Sequence, residues 1–375
     1  MLWTVGYFLL GIMTPFRVAL FAAILVAAPA RADIVIGVAG PMTGSNAAFG
    51  EQFRRGAERA VADLNAKGGV LGQKLRLVAG DDACDPKQAV SVANDLASKG
   101  VVFVAGHYCS SSSIPASDVY AESGIVQISP ASTATELTDR KLTNVFRVCG
   151  RNDDQGFLAA AYVADHFKSK RIAIVDDKST FGKGVADQFR KGLNARAIKE
   201  VMNDSIVGGE KDYSPLVTKL KQAGADLVYF GGYHPEAGLI VRQMRAQNVR
   251  TVLMGADSMV TDEFWAITGP AGEGTLLTFG PDPRLNPRNA ELVRSFRAAG
   301  YEPEAYTLYT YAAVQAWAQA AAKARSTDMA KVSAALRANT FDTVKGPLGF
   351  NVKGDVTAPG YVMYVWKNGK YVYAQ

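Results

Sequence analysis

The stretch from Val101 to Ala116, VVFVAGHYCSSSSIPA, concentrates groups able to do chemistry: a histidine, a tyrosine, a cysteine and four consecutive serines. An apolar run of strand length precedes them, and a run with helical character follows. This is the profile of a buried parallel strand that delivers its carboxyl end into a small-residue loop and a helix amino terminus. The chemistry on offer there is anion binding. Backbone N–H groups and the helix dipole point outward, and short serine hydroxyls add donors without filling the space a ligand needs. Taken alone, Ser110 to Ser113 would be read as a helix cap or a flexible loop. The functional reading gains its weight from the rest of the chain, which repeats the strand-then-polar-loop device many times.

Other chemistries fail on spacing. After the first strand, Gly37-Val-Ala-Gly40-Pro-Met-Thr-Gly44 has the glycines of a nucleotide loop without GxGxxG spacing, and Pro41 removes an N–H where phosphate needs one. Gly106-His107-Tyr108-Cys109-Ser110 does not supply the GxSxG elbow of a hydrolase. No CxxC pair exists, and His107, His166 and His234 lie far apart in sequence, so no metal site is expected. These tests favour a binding protein without cofactor over an enzyme.

The elements that must position such a loop come next. At 375 residues the chain suits two domains, and 48% hydrophobic with 20% charged residues matches a soluble globular protein. Met1 to Ala32 differs: it has no acidic residue, an apolar run Val18 to Ala28 behind Arg17, and an A-x-A cleavage site at Ala30 and Ala32. We read an export signal cleaved after Ala32, with Met13 an alternative start. Pro15 and Arg17 interrupt any span, and the apolar run after them is shorter than the roughly 20 residues a transmembrane helix needs. Without Arg17 and Arg31, 39 basic residues face 35 acidic ones. This mild, dispersed excess shows no basic run or aromatic-basic interleaving for nucleic acid. In an oxidising compartment Cys84, Cys109 and Cys149 imply one disulfide and one leftover thiol.

From Asp33 the pattern alternates. A strand at Ile34–Val38 leads to a helix from Glu51 with Phe53, Ala57, Ala60, Val61 and Leu64 on one face, stopped at Gly68-Gly69. Asp85 as cap and Pro86 as first helical residue start the next helix. The spacing predicts strands at 125–128, 144–148, 171–175, 200–206, 226–230 and 251–254, and helices at 116–122, 154–167, 185–193, 214–223 and 235–247. After the Pro-rich GPDPRLNPRN come helices at 290–299, 305–324 and 329–338, and 360–373 reads as a hairpin turning at Asn368-Gly369. Two successive βα series mean two doubly wound α/β domains.

Five segments then carry a resemblance: DDACDPKQAV from Asp81, GHYCSSS from Gly106, GEKDYSPLV from Gly209, GGYHPE from Gly231 and DTVKGPLGF from Asp342. Over the whole mature chain these resemble the periplasmic leucine/isoleucine/valine-binding proteins of ABC importers. The resemblance implies a type I periplasmic-binding fold, in which two Rossmann-like, doubly wound lobes joined by a three-crossover hinge close on one small molecule. It assigns 33–150 and 280–357 to lobe 1 and 151–279 and 358–375 to lobe 2, behind a signal peptide at 1–32. The family pattern also joins Cys84 to Cys109 and leaves Cys149 free.

Carried over residue by residue, the resemblance makes Ser110, Ala131, Ser132 and Thr133 the holders of a ligand α-carboxylate, Ser132 standing where the family often has Ala. From lobe 2 it brings Phe181, Tyr233 and Asp257, and from the first loop Phe49. The family often has Tyr at 49 and 181 and Glu at 257, so the aromatic wall and the negative charge persist while two hydroxyls and one methylene are lost. Phe49 and Phe181 stand between small polar residues and glycine, which favours a ligand wall over core. Asp257 either accepts a ligand ammonium or caps the helical run 259–265. His234, before Pro235, is read as a helix start. The implied protein is a periplasmic monomer that closes on a neutral aliphatic or aromatic amino acid and hands it to an inner-membrane ABC permease. The alternative within the same fold is a binding protein or sensory domain for an aromatic acid or amide.

Overall fold

Strands buried on both faces must be apolar throughout, and the runs read from the sequence assemble into two largely parallel sheets. The computed structural model describes residues 1–6, 32–167, 169–357 and 360–374, so residues 7–31 of the export signal expected at 1–32 lie outside the described residues. Among the described residues no helix is long and apolar enough to cross a membrane.

The first sheet takes β1 (Ile34–Gly40), β2 (Leu75–Asp81), β3 (Phe103–Ala105), β4 (Val126–Ser129) and β5 (Val145–Arg147), all parallel in the order β2-β1-β3-β4-β5. Between them run α1 (Ala47–Ala66), α2 (Pro86–Ser98), α3 (Ser110–Glu122) and the single turn α4 (Glu136–Asp139). Asp85 caps α2 as expected, its carboxylate accepting from the amides of Lys87 and Gln88. One expectation shifts here. Ser110 to Ser113 are not a loop ahead of a helix at Ala116 but the first turn of α3, which continues through Pro115. The proline ring interrupts one intrahelical bond, and the helix tolerates this so near its start.

The second series supplies α5 (Asn152–His166), β6 (Ile172–Asp176), α6 (Thr180–Asn194), β7 (Met202–Ser205), α7 (Ser214–Gln222), β8 (Leu227–Gly231), α8 (His234–Ala246), β9 (Val252–Gly255), α9 (Asp262–Thr268) and β10 (Leu276–Phe279). The chain then returns to the first sheet with α10 (Ala290–Ala298), α11 (Ala305–Ala324) and α12 (Met329–Ala338). Trp317 of α11 stacks on Phe103 of β3 at 4.9 Å. A hairpin absent from the sequence reading follows, β11 (Thr340–Thr343) with β12 (Gly346–Gly349). Finally β13 (Val362–Lys367) and β14 (Lys370–Tyr373) add an antiparallel edge to the second sheet, ordered β14-β13-β10-β9-β8-β6-β7. Their turn is the expected Asn368-Gly369, with φ of 51° and 78°, the paired positive values of a type I′ turn. Between β5 and α5 and between β10 and α10 the chain crosses from one large sheet to the other, and after the separate β11–β12 pair it enters the second sheet again at β13.

Candidate functional site

The loop after β3 is fixed from beneath. Cys84 and Cys109 form a disulfide with Cα atoms 5.5 Å apart, while Cys149 is free and buried. Asp82 accepts from the Cys84 amide at 2.8 Å and meets His107 Nδ1 at 2.5 Å, and His107 Nε2 lies 2.9 Å from the Tyr120 hydroxyl. All three side chains are fully buried, so His107 anchors the loop from behind. The loop's own carbonyls are held too. Ser129 donates to the His107 carbonyl at 2.7 Å and Ser132 to the Tyr108 carbonyl at 2.9 Å. Under the segment 131–134 lies Arg147, with no exposed surface, which donates to the carbonyls of Ser132 and Ala134 at 2.9 Å each and pairs with Asp355 at 2.8 Å.

Carboxyl ends of parallel strands are where α/β sheets bind ligands, and here the ends of the two sheets meet around one cavity. It is narrow and is lined by Tyr108, Ala131, Phe181, Tyr233, Asp257, Ser258 and Tyr306. Phe181, in the first turn of α6, lies 5.3 Å from the Tyr233 ring, and Tyr233 lies 5.9 Å from Tyr108. Phe49 of α1 stacks on Tyr108 at 4.3 Å. Among the described residues the buried Tyr233 hydroxyl has no hydrogen-bond partner. Such a group costs about 1–3 kcal/mol unless a polar group meets it.

Asp257 is the charged member of this wall. Its Oδ2 accepts from the hydroxyls of Tyr306 at 2.7 Å and Tyr361 at 3.4 Å, and its Oδ1 from Gln155 at 3.3 Å. None of these is a cation. Burial pushes its pKa up to about 6 against the pull of those hydrogen bonds, which leaves it ionised at neutral pH. The cap of α9 is Thr261, whose hydroxyl accepts from the Glu263 amide, so Asp257 is not spent on that helix.

Of the residues expected from the sequence, Ala131, Phe181, Tyr233 and Asp257 line the cavity, and Phe49 backs it through Tyr108. Ser110, Ser132 and Thr133 are buried beside it with their hydroxyls engaged within the protein. Ser110 accepts from the Ala134 amide at 3.2 Å, Ser132 ties the loop as described, and Thr133 donates to Asn152 at 2.7 Å. His234 starts α8 and pairs with Glu263 at 2.9 Å. Sequence reasoning missed Tyr108, Ser258 and Tyr306. The available signal for Tyr306 is the cluster AYTLYTY at the start of an otherwise alanine-rich helix, where polar-tipped rings are out of keeping with a pure core face. Among the described residues no group of three or more His, Cys, Asp and Glu is placed to hold a metal ion.

Two doubly wound sheets whose strand ends enclose an aromatic cavity with a buried acid define a protein that binds a small molecule. The chain belongs to the periplasmic binding protein family, whose sequence pattern matches residues 33–370. It is 52% identical over 362 residues to Leu/Ile/Val-binding protein homolog 1 of Brucella melitensis biotype 1, covering 96% of this chain and 98% of that one. The leucine-binding protein LivK of Thermotoga maritima matches in structure with a TM-score of 0.84 at 25% identity, over 91% of this chain and 98% of that one. LivJ of Streptococcus pneumoniae, in complex with isoleucine, matches with a TM-score of 0.82 at 25% identity and the same coverage. The architecture is the type I periplasmic-binding fold, and the role is substrate binding, not catalysis.

Proposed function

We propose that this protein captures a neutral α-amino acid in the periplasm and delivers it to an inner-membrane ABC permease. The observation that carries the reading is Asp257, a buried carboxylate with no cationic partner among the described residues, set in an aromatic cavity beside the loop that opens α3. An α-amino acid brings an ammonium to Asp257 and a carboxylate to the loop and helix start at Ser110, Ala131, Ser132 and Thr133. The buried Tyr233 hydroxyl then meets a polar group of the ligand. In this reading 33–150 with 280–357 form one lobe and 151–279 with 358–375 the other. Closure is driven by contacts that exist only when Tyr108 and Tyr306 of the first lobe reach Tyr233 and Asp257 of the second.

Support comes from the relative named for Leu, Ile and Val and from the isoleucine held by LivJ. The rings of Tyr108, Phe181, Tyr233 and Tyr306 crowd the cavity, which favours compact apolar side chains. An aromatic acid would set its carboxylate against Asp257 with no ammonium to answer it, which argues against that alternative. We further propose export with removal of residues 1–32 and action as a monomer. Native mass spectrometry of protein purified without denaturation reads the mass of any retained ligand and of the mature chain. Calorimetry across the neutral amino acids completes the test: no retained amino acid and no binding heat from any of them overturns the reading.

A further inference from the structure

Beside the ligand cavity lies a second, narrow pocket whose wall includes Cys149, Asp257, Tyr306, Tyr309, Lys345 and Tyr361. Asp257 and Tyr306 line both spaces, so their mutual hydrogen bond forms the partition between them. The remaining wall comes from Cys149 after β5, Tyr309 of α11, Lys345 in the β11–β12 turn and Tyr361 ahead of β13.

Lys345 is the group that needs explaining. It sits in the turn joining β11 to β12, within the motif DTVKGPLGF. A lysine ordinarily lays its stem on the protein and sends its ammonium to water. Here the residue is half-buried and the ammonium turns inward. It donates to the carbonyl of Val148 and stands 3.6 Å from the centre of the buried Tyr309 ring, and no carboxylate pairs with it among the described residues. Burial draws its pKa down to about 7, with the neighbouring Cys149 opposing that shift only weakly. Cys149 is itself neutral, its thiol pushed up to about 12 by burial. The fixed negative charge in the wall is Asp257, which faces a ligand ammonium in the reading above. A cation turned away from bulk water into a low-dielectric wall without a counter-charge attracts an anion more strongly than one at the surface.

We propose that this pocket is an anion-binding compartment of the ligand site, in which Lys345 receives one small anionic group. That group is either the distal carboxylate of an acidic amino acid seated at Asp257 or a free inorganic anion such as chloride. The first source rests on the amino-acid reading and widens it from neutral to acidic side chains; the second does not depend on it.

The test is calorimetry of the mature protein with glutamate and with alanine, in sodium chloride and in sodium gluconate, on wild type and on Lys345→Met. Methionine keeps the length and removes the charge. If the ligand's own carboxylate is the source, the glutamate-to-alanine affinity ratio falls about tenfold or more in Lys345→Met. If a free anion is the source, chloride raises the wild-type melting temperature relative to gluconate, and Lys345→Met loses that difference while Lys345→Arg keeps it. Identical affinity ratios and identical chloride responses in wild type and Lys345→Met overturn the proposal. Failure of every amino acid to bind wild type defeats the amino-acid reading instead, and the chloride response still tests Lys345.

Discussion

The hydroxyl of Tyr306 donates to the carboxylate of Asp257 at 2.7 Å, tying α11, which packs on the first sheet, to the end of β9 in the second. With Gln155 and Tyr361 it orients the acid without neutralising it. In the proposed function a ligand ammonium supplies the missing charge, so Asp257→Asn is expected to cost roughly 2–5 kcal/mol of binding. At 1.4 kcal/mol per tenfold, that is about thirty-fold to several thousand-fold in Kd. The empty variant should melt no lower than wild type, because a desolvated charge has been removed. Calorimetry and a thermal melt together check this, and unchanged affinity would remove the ammonium site.

The same group predicts a pH profile. Asp257 has a folded pKa of about 6, raised from an ordinary value near 3.8 by burial. A raised carboxyl pKa means the stability it contributes is fully present below its unfolded value and is lost as pH rises through about 6. Binding runs the other way, because the proposed contact with a ligand ammonium needs the ionised form. Affinity should be flat from pH 7 to 8 and weaken by up to about tenfold per pH unit below about 6. Titrations between pH 5 and 8 on wild type and Asp257→Asn check it, the variant being expected to lose the slope.

Tyr108 fills the floor of the cavity, stacked on Phe49. Tyr108→Leu should open that floor and shift preference from alanine and valine toward leucine and phenylalanine. A change of about tenfold in the affinity ratio is in scale with the roughly 1–3 kcal/mol that one apolar group is worth in such a pocket. Competition binding with these four amino acids reads the ratio directly.

The Cys84–Cys109 disulfide closes a loop of 25 residues and holds the start of α3. Replacing both cysteines by serine should cost on the order of 3 kcal/mol of stability in the chain-entropy model. It should also weaken ligand affinity, because the turn proposed to hold the ligand carboxylate loses its anchor. Chemical denaturation with and without ligand measures both effects, and Cys149→Ser, which breaks no bridge, serves as the control.

Arg147 is a buried cation serving the backbone, bound to the Ser132 and Ala134 carbonyls and to Asp355. Removing one member of a buried pair strands the other, so Asp355→Ala should destabilise by roughly 3–5 kcal/mol. Arg147→Lys should not restore the two carbonyl contacts, because one ammonium cannot reproduce the fork of a guanidinium. Urea denaturation of the two variants checks the ranking; wild-type stability in Asp355→Ala would show that the pair contributes nothing.

Much of this protein was legible in residue order. Doubly buried parallel strands require unbroken apolar runs, and local chemistry marks their ends, as Asp85-Pro86 does at α2 and Asn368-Gly369 at the last hairpin. These are short-range effects, and they fix fold class, element order and the loops that carry the site. The motif runs added the cysteine pairing and four of the cavity residues. What residue order did not show is which distant groups converge. Asp257 meets Tyr306, Gln155 and Tyr361 across separations of 49, 102 and 104 residues. No local periodicity encodes such pairs. Nor does residue type set side-chain direction: Ser132 turns its hydroxyl onto the Tyr108 carbonyl, and Lys345 turns its ammonium inward over Tyr309. Those directions follow from which neighbours packing brings close, and that belongs to the folded chain.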